Sequence, residues 1–136
     1  MKKSILIAAA VIVVVVIANL VNPNTEPTPT PTITEATSFK HQNAWYWVIQ
    51  YNNIATRQDI EQYVHRWANP TTTSYFFAYR DSLDLSVFQS KDLTFPVFAN
   101  TIVNGDVKPD YGFYKMSGND AMHDDALWLL QQSLIQ

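Results

Sequence analysis

The chain has 136 residues, with twelve acidic against nine basic side chains for a formal net charge of −3, and no cysteine. Hydrophobic residues make up 47% and aromatics 13%, which excludes a disordered, highly charged chain. The missing cysteine excludes a disulfide framework, a thiol nucleophile, a thiolate metal site and an acylated lipoprotein anchor, and three glycines argue against a glycine-rich phosphate cradle.

At the N-terminus Lys2 and Lys3 precede residues 5–21, in which Asn19 is the one polar side chain, and no basic residue follows until Lys40. This asymmetry predicts a membrane-spanning helix with a cytoplasmic N-terminus and a periplasmic or extracellular remainder. Seventeen residues span about 25 Å as a helix, the short end for a bilayer. Val16-Ile17-Ala18 also offers a signal-peptidase site, so a cleaved signal peptide is the alternative; the length of the apolar run favours a retained signal-anchor. The lipid bilayer is thus an expected partner through residues 5–21. In residues 22–38, Pro27, Pro29 and Pro31 alternate with Thr28, Thr30 and Thr32, which predicts an extended polyproline-like stalk. Residues 39–136 are left for the exported domain.

Within that domain, the aromatic and β-branched run 45–51 predicts a strand. Thr56 and Asp59 form a capping box, and Ile60, Tyr63, Val64 and Trp67 follow as one helical stripe that Asn69-Pro70 ends. Residues 74–80 and the alternating run 83–89 predict a hairpin around Asp81-Ser82. Phe95, Phe98, Ala99 and Ile102 predict a short helix stopped at Asn104-Gly105. Residues 111–116 read as a strand, Ser117-Gly118-Asn119 as a break, and 120–136 as a closing helix with acids in its first turn. The order β-α-β-β-α-β-α predicts an α+β fold. It matches a ferredoxin-like βαββαβ plan, a four-stranded antiparallel sheet with a C-terminal helix added.

The aromatic strands supply the first candidate site. Trp45, Trp47 and Tyr51 share one side of their strand, and Tyr75, Phe77 and Tyr79 one side of the next. Tyr111 and Phe113 share one side of the last, and Tyr46, Phe76 and Tyr114 take opposite sides. Both faces of the sheet are therefore apolar, and one needs cover from the last helix or from a partner. Trp45, Trp47, Tyr75, Phe77, Tyr79 and Trp128 are the expected partner-binding residues, because Trp and Tyr anchor interfaces. Nucleic acid is excluded: the part beyond the anchor carries seven bases against twelve acids and lacks the phosphate-neutralising charge that such binding needs.

Asp120, His123 and Asp124 fall at i, i+3 and i+4 and form a weak divalent-metal candidate if they lie on a helix; the competing role is acids placed at a helix N-terminus. No H-E-x-x-H or G-x-S-x-G pattern occurs. The Asn52–Arg57 turn can hold an anion at a helix start, against a plain role as turn and cap. No catalytic residue and no cofactor is expected. The sequence thus points to a membrane-anchored extracytoplasmic module without catalysis. Such a module is an accessory or structural part of an envelope, secretion or conjugation, or virion assembly, with a protein partner or a homo-oligomer. The alternatives are an exported metal-dependent hydrolase and a glycan- or cell-wall-binding module that uses an aromatic sheet face.

Overall fold

A computed structural model describes residues 27–117 and 121–136. Residues 27–30 are exposed and without regular structure, and Pro31–Gln136 form one compact unit. The unit begins with a hairpin of β1 (Ile33–His41) and β2 (Ala44–Tyr51), followed by helix α1 (Arg57–Trp67) and β3 (Thr73–Arg80). A 3-10 turn (Ser86–Gln89), helix α2 (Phe95–Asn104), β4 (Tyr111–Lys115), β5 (Met122–His123) and helix α3 (Ala126–Ile135) complete it. Among the described residues the sheet has five strands in sequential order, with β2 and β3 parallel and the other neighbours antiparallel.

This corrects the predicted four-stranded antiparallel, ferredoxin-like sheet. Two local causes account for the difference. First, residues 33–38, which composition placed in the stalk, belong to β1. Their β-branched Ile and Thr side chains suit a strand, and the two-residue turn Gln42-Asn43 pairs His41 with Ala44. Gln42 takes the left-handed backbone conformation (φ 52°) that such tight turns require.

Second, residues 83–89 do not form a strand. The Asp84 carboxylate accepts a hydrogen bond from the Ser86 N–H at 2.9 Å, a turn-forming contact. Leu85 and Phe88 are buried at i and i+3 while Val87 is exposed, which is the spacing of a 3-10 turn. Without that strand no hairpin follows β3. The crossover through α1 sets β2 and β3 side by side and parallel, the βαβ arrangement. Among the described residues no helix is long and apolar enough to cross a membrane. The helix predicted over residues 5–21 lies outside the described residues.

The sheet is covered on both faces. On one side Ile49, Tyr51, Phe76, Ala78 and Phe113 pack with Ile60 and Val64 of α1. On the other, Val48, Phe77 and Tyr79 pack with Leu85, Phe88, Phe98, Ala99 and Ile102, and with Ala126 and Leu130 of α3. Period-2 alternation sends neighbours such as Phe76 and Phe77 into opposite cores.

α1 starts as predicted. The Thr56 hydroxyl accepts from the Asp59 N–H, and the Asp59 carboxylate accepts from the Thr56 N–H at 2.7 Å. These bonds to Thr56 hold the Asp59 carboxyl below its ordinary value. A depressed carboxylate stabilises the fold above its unfolded pKa and loses that contribution as pH falls through the folded value. Separately, Thr56→Ala removes the hydroxyl that caps the Asp59 N–H and is expected to lower the unfolding free energy at pH 7 by about 1 kcal/mol. In urea titrations the gap between the native chain and Asp59→Asn should shrink as pH drops below about 4.

Tyr79 is fully buried against Phe88, at a ring distance of 5.9 Å, and its hydroxyl has no hydrogen-bond partner among the described residues. Burial pushes that hydroxyl well above the ordinary phenol range, so it stays neutral. An unpaired buried donor costs roughly 1–3 kcal/mol. Tyr79→Phe should consequently raise the urea midpoint, by about 1 kcal/mol in unfolding free energy.

Candidate functional site

Strand pairing decides which aromatic side chains can meet. The register Tyr46↔Tyr75, Trp47↔Phe76 and Val48↔Phe77 puts Trp45 and Trp47 on the α1 side. Tyr75, Phe77 and Tyr79 lie on the α2–α3 side. The six expected partner-binding residues are therefore split between the two faces and form no single platform. Phe77 and Tyr79 are core residues without exposure. Trp47 is half-buried and stacks on Phe76 at 5.6 Å. Trp45, also half-buried, carries the Lys40 ammonium 5.8 Å above its ring. Only Trp128 of the six is open, with 56% of its surface exposed.

The α2–α3 side carries a feature that the isolated strands did not reveal. Phe39, Tyr46, Tyr75, Tyr114 and His123 are direct cross-strand neighbours, so one aromatic row runs over all five strands. Tyr46 and Tyr75 stack at 4.7 Å, Tyr75 and Tyr114 at 5.7 Å, and Tyr114 and His123 at 4.6 Å. Burial, with Tyr75 beside it, pushes the Tyr46 hydroxyl up to about 12. Tyr75 is raised too, first by burial and then by Tyr114 and Asp125 beside it, and Tyr114 first by burial and then by Asp125. All three phenols are neutral at pH 7. Tyr46 and Tyr75 border a cleft of about 60 Å³ closed by Leu129, Leu130 and Ser133 of α3. Ligand pockets run to roughly 300–1,000 Å³, so the cleft is a packing seam between sheet and helix. The rings are spent on one another, on Phe95 and Phe98 of α2 and on α3.

The metal candidate is not assembled. Residues 122–123 are a strand and α3 begins only at Ala126, so the helical face that would align Asp120, His123 and Asp124 does not form. His123 stacks on Tyr114, the Asp124 carboxylate pairs with Arg57 at 3.3 Å, and Asp120 lies outside the described residues. Among the described residues no group of three His, Asp or Glu side chains is placed to hold a metal.

The Asn52–Arg57 turn is likewise committed to the fold. The Asn52 side-chain oxygen accepts from the N–H groups of Thr32 and Ala55 at 3.1 and 3.0 Å. Arg57 bonds Glu61 at 2.8 Å and lies 5.4 Å over the Phe113 ring. At the C-terminal ends of β2 and β3, where α/β sheets hold ligands, the Tyr51 hydroxyl donates to Asp110 at 2.7 Å. Arg80 approaches the same carboxylate at 3.6 Å. Burial and this carboxylate push the Tyr51 hydroxyl up to about 12, and the three groups satisfy one another.

Large apolar side chains are exposed at Trp67 of α1, at Val87 and at Met116, and also on the outside of the α2–α3 layer. The helices FPVFANTIVN and ALWLLQQSLI contain no charged side chain, whereas α1 carries Arg57, Asp59, Glu61, His65 and Arg66. α3 is apolar nearly all round, a composition that normally marks a helix covered on every side. Here Ala126 and Leu130 face the core while Trp128 and Ile135 (73% exposed) point outward, and Val97 of α2 is 52% exposed. The signal was present in the sequence as two runs without charge, 95–105 and 126–136, but it is weak until both helices are known to share one face. No protein-family model matches the chain, and no curated protein or solved structure is detectably similar to it.

Proposed function

We propose that the protein is a membrane-tethered, extracytoplasmic interaction module that joins a larger envelope assembly through the outer surface of α2 and α3. The observation that carries this reading is the uncharged layer with Trp128, Val97 and Ile135 exposed. Interface cores are depleted of charge and rich in aromatic residues. The tether follows from the sequence: two lysines, an apolar run over residues 5–21, then Pro/Thr-rich chain up to the folded unit. A spacer of that kind lets a folded unit stand off a bilayer while keeping hold of it.

Two measurements test the reading. A reporter fused after Gln136 should be active only outside the cytoplasm; activity confined to the cytoplasm rejects the topology. Trp128→Ser with Ile135→Ser should abolish co-purification of the partner in mild detergent and leave the urea midpoint unchanged. Undiminished co-purification rejects the contact surface.

A further inference from the structure

We infer that the Asn104–Gly105 step at the end of α2 is a self-modifying site. It loses ammonia through a cyclic imide and leaves a carboxylate at position 104, at a rate held down by the last turn of α2. It is the one Asn-Gly step in the chain. Glycine has no side chain to keep its backbone nitrogen away from the preceding residue. The fold itself demands glycine here, because a Cβ at Gly105 would run into the Thr101 carbonyl oxygen. Asn104 is exposed, so water reaches its side-chain amide. None of this chemistry depends on what the α2–α3 layer meets.

The step balances with water alone. The Gly105 backbone nitrogen gives up its proton to solvent and attacks the Asn104 Cγ. The bond from Cγ to Nδ2 breaks, and Nδ2 leaves as ammonia with a proton taken from water. Water then adds to either carbonyl of the imide and opens it, giving an aspartyl or an isoaspartyl residue. In the folded chain both reacting groups are engaged elsewhere. The Gly105 N–H donates to the Thr101 carbonyl at 3.0 Å, and the Asn104 Nδ2 donates to the Asn100 Oδ1 at 2.8 Å. Asn104 is the last residue of α2, so reaction waits only for the final turn to open, and helix ends open at little cost. The product favours further opening, because a carboxylate at a helix C-terminus opposes the dipole. It also gives α2, which has no charged side chain, its first charge.

The full chain in mild detergent is held in neutral buffer with and without urea, and peptides over residues 95–108 are mapped by mass and for isoaspartate over time. Position 104 should convert to a mixture of aspartyl and isoaspartyl forms while Asn100, in the same helix, stays an amide. The urea-unfolded chain should convert roughly tenfold faster than the folded one, since no turn has to open first. Asn100→Gly removes the Nδ2 acceptor and weakens an exposed helix position. It should speed conversion of the folded chain by about fivefold and leave the rate in urea unchanged. Asn104→Gln should abolish conversion. No conversion in the folded chain over many half-lives of the unfolded one, or equally fast conversion at Asn100, overturns the site. Equal rates with and without urea, or no response to Asn100→Gly, overturn the control by the α2 turn.

Discussion

Phe76→Ala and Phe77→Ala are each expected to lower the unfolding free energy by about 3–5 kcal/mol in urea titrations. The two residues are adjacent in β3 and both fully buried, Phe76 under α1 and Phe77 under α2 and α3. In a four-stranded sheet with helices on one side only, one of the pair would face solvent and its truncation would cost little. Equal, large losses at both positions are therefore a signature of a sheet covered on both faces. The side chains point away from each other into separate clusters, so the double variant should show losses that nearly add. For a unit of this size, with roughly 5–10 kcal/mol of total stability, the double variant should not fold. A cost below about 1 kcal/mol at either position would contradict the three-layer arrangement.

Gly112→Val is expected to cost about 3 kcal/mol and to act on α3 in particular. A Cβ built at Gly112 would lie 3.2 Å from the Leu127 backbone nitrogen and 3.5 Å from the Ala126 and Leu127 Cβ atoms. Glycine there lets the first turn of α3 settle directly on β4. Two further methyl groups leave the helix no room and must push it away from the sheet. The exchange protection of the α3 amides should fall more than that of α1, because α1 lies on the opposite face. Gly112→Ala, with contacts in the tight but tolerable range, should show the same pattern more weakly. Since α3 carries Trp128, Gly112→Val should also weaken the association proposed for that surface. Uniform loss of protection across the chain would show that α3 does not depend on this close approach.

Local patterns carried much of the architecture. The capping box at Thr56 and Asp59, the stripe Ile60–Tyr63–Val64–Trp67, the strands at 45–51, 74–80 and 111–116, and the helix over 95–103 all appear where periodicity placed them. What periodicity could not supply was pairing. Whether β2 and β3 are adjacent, and parallel, depends on how the α1 crossover packs, and no local spacing records it. β1 was hidden because its Thr-rich start continues the Pro/Thr composition of the spacer.

Residues 83–89 show the opposite case. Their alternation mimics a strand, yet one carboxylate–amide contact at Asp84 bends the chain into a 3-10 turn. The start of α3 moved for a related reason: residues 122–123 pair with β4 before the helix begins, which dissolves the metal candidate. The candidate surface suffered most from the missing pairing. Trp45, Trp47, Tyr75, Phe77 and Tyr79 are prominent as letters, but register divides them between two cores. The open surface lies on helices whose distinguishing property is an absence of charge.

On the proposed function, the folded unit lies outside the cytoplasm with its α2–α3 layer covered and its α1 layer open. Labelling of single cysteines by a membrane-impermeant maleimide in intact, reduced cells tests both parts at once. Gln62→Cys on α1 should label rapidly in intact cells, and Gln131→Cys on α3 should be protected until the protein is denatured. Equal labelling at the two positions in intact cells, or labelling of neither until the cells are lysed, would contradict the account.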